Sequence, residues 1–62
     1  MMPQLNKDEL FMLKKQLGKE QMLMEKYKNY ALICKDPQLR TKCEQLAAHH
    51  QSHYQVLQSL LQ

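Results

Sequence analysis

The sequence predicts an all-α fold: an antiparallel two-helix hairpin that pairs with a second copy as a four-helix bundle. Three observations carry this. The 62 residues include one Gly and two Pro and are rich in Leu, Gln, Lys and Met, a mixture that favours helix, while β-branched and aromatic residues are too few for a sheet. Two apolar repeats run at alternating spacings of three and four, the signature of one helix face. Between them lies Asp36-Pro37, a helix stop followed by a helix start.

The elements follow in order. Asn6 is placed to cap the first helix, and Glu9, at the third helical position, is placed to reach back to it. Leu5 and Leu10 occupy the two positions of a hydrophobic staple. Asp8 and Glu9 set negative charge at the positive end of the helix dipole. The helix is expected over about residues 7–35, with a seam of Leu10, Leu13, Leu17, Glu20, Met24, Tyr27, Ala31 and Cys34. Phe11, Leu23, Tyr30 and Ile33 broaden its apolar surface, and Gly18 falls on the outer face. Pro37 disfavours helix at Asp36 and suits the first position of the next helix, which makes Asp36 the N-cap. The second helix is expected over about residues 37–61. Its seam is Leu39, Cys43, Leu46, His50, His53, Leu57 and Leu60, widened by Ala47, Tyr54 and Leu61. Residues 1–62 thus form a single hairpin, without linker or low-complexity tract.

The short connection makes the helices antiparallel neighbours. One hairpin cannot cover so wide an apolar surface, and a chain this short buries little by itself. A homodimer with two-fold symmetry is the simplest remedy. A continuous coiled-coil dimer is the alternative, and Asp36-Pro37 counts against it.

Composition narrows the function classes. The net charge is +3. No Lys or Arg occupies a seam position, so the basic residues read as a solvated face. No basic cluster with interleaved aromatics is present, so no nucleic-acid partner is expected. There is no apolar run of membrane-spanning length and no signal-like start, which argues against a membrane and for a soluble protein made in the cytoplasm. Cys34 and Cys43 stand at different distances from the turn, which reads as two free thiols. No Ser-His-Asp grouping, phosphate loop or Cys-x-x-Cys occurs, and one hairpin offers no deep cleft. No enzyme activity is expected.

One feature breaks the apolar pattern. Glu20 interrupts the first seam sixteen residues before Asp36, and His50 and His53 interrupt the second fourteen and seventeen after it. With about 1.5 Å of rise per residue, all three fall within roughly one helical turn of the same level. Two His spaced three apart project from one helix face and suit a shared metal, with Glu20 supplying an oxygen. In a symmetric dimer the layer doubles to two Glu and four His. Ligation this rich in nitrogen favours Zn, Cu, Ni or a single Fe. The same layer can instead hold register and oligomeric state without a metal, each Glu–His hydrogen bond satisfying both partners. His49 falls off the seam and reads as solvent-facing.

Three stretches carry a resemblance to a known family: Leu17-Gly-Lys-Glu20-Gln-Met-Leu-Met-Glu-Lys-Tyr27, Asp36-Pro-Gln-Leu39-Arg40, and His49-His50-Gln-Ser-His53-Tyr-Gln-Val-Leu57. Glu20 is followed seven residues later by Tyr27, Leu39-Arg40 opens the next helix, and a His-rich stretch follows. The pattern, over about residues 10–60, resembles the spore coat protein F (coat F) family of spore-forming Gram-positive bacteria. That family is similar to ferritin-like helical hairpins. The resemblance implies a ferritin-like bundle and a structural role in the spore coat, with other coat proteins as further partners. Its alternative implication is metal storage or redox protection, with Zn or Fe held by Glu20, His50 and His53. Two departures stand out. His50 occupies a position where ferritin-like relatives often carry Glu, and one hairpin stands where a ferritin-like domain has two, which again points to dimerisation.

Overall fold

The computed structural model describes residues 4–61. They form two helices, α1 (Lys7–Ile33) and α2 (Pro37–Ser59), packed against each other, with no strand among the described residues. α1 begins at a capping box. The Asn6 side chain accepts from the Glu9 N–H at 2.8 Å, and the Asn6 N–H donates to the Glu9 carboxylate at 3.0 Å. Each bond satisfies a backbone donor that the helix itself leaves free.

α1 stops at Ile33, and Cys34 takes extended backbone. The cause lies downstream: Pro37 forces Asp36 out of the helical region, and the last residues before it unwind. Asp36 caps α2, its carboxylate accepting from the Gln38 N–H at 2.9 Å and the Leu39 N–H at 3.4 Å. Arg40, one turn into α2, reaches back across the connection. Its Nε and Nη2 donate to the Cys34 carbonyl at 3.1 and 2.7 Å. α1 has no glycine past its end to close the last turn, so a guanidinium serves the exposed carbonyl instead. α2 ends at Ser59, with Leu60 and Leu61 in a loosened last turn.

The hairpin measures 45 × 20 × 11 Å, a slab one helix thick. Its interior is a narrow line of Leu13, Leu17, Ala31, Cys43 and Ala47, with Glu20 among them. Of the remaining residues of the first seam, Leu10, Met24 and Tyr27 on α1 and Cys34 just past its end are half-buried. On α2 the line facing α1 is Cys43, Ala47, His50, Tyr54 and Leu57. This corrects the expected seam, because Leu39, Leu46, His53 and Leu60 are exposed. The apolar surface of α2 is wider than one neighbouring helix can cover, and small Cys43 and Ala47 are the side chains that admit close approach.

The exposed row has a consistent side. Leu39, Leu46 and His53 are spaced by seven on α2, with Leu60 continuing the row just past its end, as are Gln16, Leu23 and Tyr30 on α1, so each set runs along one flank of its helix. Tyr30, Leu39 and Leu46 line one shallow groove with Tyr27, Ile33 and Cys43. Gln16 and His53 line another with Glu20, Val56 and Leu57. Both grooves therefore open on the same broad face of the slab.

Candidate metal centre

The level at which Glu20, His50 and His53 meet lies well away from the turn, toward the open end of the hairpin. Helical period alone delivers the side chains: Glu20 follows Leu13 and Leu17 on the buried line of α1, and His50 follows Cys43 and Ala47 on that of α2. His53, one turn on, lies at its edge. Exposure grades accordingly, with side chains 6% exposed at Glu20, 18% at His50 and 49% at His53.

Glu20 is the hub. Its Oε2 lies 3.2 Å from Nδ1 of both His50 and His53, and its Oε1 lies 3.3 Å from Nδ1 of His50. An ionised carboxylate only accepts, so both imidazoles donate from Nδ1. Burial acts to raise the Glu20 pKa; hydrogen bonds and favourable charge from His50, then His53, outweigh it and hold the carboxyl below its ordinary range. The ionised form thus belongs to the folded state. Among the described residues, no buried side-chain nitrogen or oxygen lacks a partner.

Aromatic packing sets the imidazole planes. His50 stacks on Tyr27 with ring centroids 5.8 Å apart and planes 3° from parallel. Tyr27 in turn meets Tyr30 edge-on at 5.9 Å. Tyr27, a seam residue seven after Glu20 to which the sequence assigned no part in the layer, is the wall against which His50 rests.

One ligand atom from each of Glu20, His50 and His53 lies within 4.8 Å of the others. Tetrahedral N and O ligands at about 2.0–2.1 Å from a zinc ion stand about 3.4 Å apart. The two Glu20–His separations, at 3.2 Å, are close to that spacing. The chemistry of the set, one hard oxygen and two borderline nitrogens, suits Zn, Cu, Ni or Fe better than Mg or Ca. The groove lined by Gln16, Glu20, His53, Val56 and Leu57 gives the layer a route to solvent.

The remaining residues singled out above stand apart. Cys34 and Cys43 are free thiols near the turn, and Cys34 donates from Sγ to the Asp36 carbonyl at 3.5 Å. No helix among the described residues is long and apolar enough to cross a membrane. The chain matches no protein-family model, no curated protein and no solved structure.

Proposed function

We infer that this chain is a non-enzymatic helical module that holds a divalent transition-metal ion through Glu20, His50 and His53. The observation that carries the reading is the convergence of both Nδ1 atoms on one nearly dry carboxylate at 3.2 Å. Residues 30 and 33 positions apart meet there, so the site exists only in the folded chain. A metal that binds only the folded state stabilises it by mass action. Titrating Zn2+ or Cu2+ should therefore raise the melting temperature of the parent protein clearly more than that of His50→Ala. Identical melting curves for the two proteins across the titration would end the reading.

A second reading, a structural protein of the spore coat acting through homo-oligomeric assembly, is favoured by the exposed apolar face. A folded monomer of 7.4 kDa exposes about 4,200 Å² by the size scaling of globular proteins. This hairpin exposes 5229 Å². The excess, about 1,000 Å², is close to the roughly 800 Å² that each partner buries in a standard stable interface. Pairing through the face that carries Tyr30, Leu39, Leu46 and His53 would form a four-helix bundle and bring two Glu–His layers toward each other. The resemblance to coat F proteins supplies the setting. Melting that shifts upward with protein concentration, and synthesis confined to sporulation, are the expected results. A stable monomer of about 7 kDa in light scattering at micromolar concentration would remove the assembly.

A further inference from the structure

His49 is the chemistry-bearing residue that the Glu–His layer does not use. It lies on the exposed side of α2, four residues before His53. The two rings are the closest aromatic pair among the described residues, with centroids 4.6 Å apart and planes at 66°. His50 lies further off, its ring 6.5 Å from that of His49. Histidines at i and i+4 stand on one helix face and can chelate a single ion, as the paired histidines of His-Glu-x-x-His zinc sites do.

We propose that His49 and His53 form a second, surface-facing transition-metal position that shares His53 with the inner site. The tautomer of His53 supports it. Nδ1–H donates to Glu20 at 3.2 Å, which leaves the lone pair on Nε2. The two ring nitrogens point well over a right angle apart, so Nε2 is directed away from the carboxylate, and half of the side chain is open to solvent. A carboxylate behind a metal-binding imidazole fixes its tautomer and the orientation of its ring. Glu20 would thus be a direct ligand for the inner position and an orienting group for the outer one. The outer position needs one Nε2 lone pair each from His49 and His53, with water completing the shell.

The proton on His53 makes the two positions exclusive. An ion in the outer position requires the proton on Nδ1. An ion in the inner position takes the Nδ1 lone pair, so that proton leaves to solvent and the ring carries one on Nε2 instead. Each chain then holds one ion at a time, arriving on the exposed pair and passing inward. This transfer rests on the inner reading; the outer pair stands without it.

Calorimetric titration with Zn2+ of the parent, His49→Ala, Glu20→Gln and the double variant separates these claims, with circular dichroism checking helicity. Glu20→Gln removes the inner oxygen anion but keeps an acceptor for Nδ1–H, so this variant should still bind one Zn2+, at least tenfold more weakly. Adding His49→Ala to it should weaken binding by at least a further tenfold. Identical titrations of Glu20→Gln and the double variant, binding or not, would overturn the outer position. Loss of binding in His49→Ala with binding kept in Glu20→Gln would remove the inner site and support the outer one. Should Glu20→Gln lose helicity, His50→Ala with and without His49→Ala makes the same comparison.

Discussion

Polar groups tie the two helices together in two places, and the two are built differently. At the turn, Arg40, Asp36 and the backbone at Cys34, Gln38 and Leu39 bond across at most six residues of sequence, all of them exposed. In the layer, Glu20 bonds to partners 30 and 33 residues away, and the acceptor is nearly dry. A bond formed locally in water replaces one with solvent and contributes only modestly. A bond formed across the fold appears only when both helices have docked, and losing one partner strands the other where water cannot fully replace it. The turn therefore sets where the chain reverses, while the layer sets how the two helices align along their length.

The largest effect should come from the layer. Glu20→Ala leaves both Nδ1–H groups without their acceptor and should cost more stability than any change at the turn, measured by urea unfolding. Replacing Glu20, His50 and His53 together by Leu should be neutral or stabilising in metal-free protein, since apolar packing often equals or beats a buried polar cluster. A triple variant less stable than Glu20→Ala would show that the layer contributes net stability of its own. The pH dependence has a definite sign. The folded Glu20 pKa lies below its ordinary value of 4.5, so its contribution is present in full above that value and is lost as pH falls through the lower folded one. Acid unfolding of the parent should include this component, and Glu20→Gln should lack it.

The turn should respond less. Asp36→Ala removes the cap on Gln38 and Leu39 and should cost about 1 kcal/mol, read from the urea midpoint. A loss larger than that of Glu20→Ala would reverse the comparison. The smallest change is expected on the outer face of α1, where Gly18 sits in regular helix and a Cβ would meet nothing within 4 Å. Gly18→Ala should stabilise the protein by about 0.5–1 kcal/mol by restricting the unfolded chain, and a destabilised variant would mean that this face packs against something in solution.

Local chemistry was legible residue by residue. The Asn6–Glu9 box and the Asp36 cap need only residues three apart to meet, so short-range pattern suffices for them. The seam of α1 was readable because Leu13, Leu17, Glu20 and Ala31 keep helical spacing and all are buried, although Phe11, Leu32 and Ile33 around them stay exposed. On α2 the stripe is wide, and sequence could not choose between Leu46 and Ala47 as the residue facing α1. The larger side chain looked the better core residue; the smaller one takes the place because it lets the helices approach. The same rotation left His53 at the rim, on the side of α2 that it shares with His49, a pairing that spacing allowed but did not single out. The bond that Arg40 makes was not readable, since its acceptor exists because the helix before it ends at Ile33.

By itself, then, the sequence determined the two helices, their caps, the reversal at Asp36-Pro37 and the common level of Glu20, His50 and His53, because all of these follow from helical period and backbone chemistry along one chain. Tertiary structure decided which side of α2 meets α1, how deeply each member of the layer is buried, and which imidazole nitrogen faces Glu20. Those depend on how closely two surfaces can pack, and that distance is set by the side chains of both helices together.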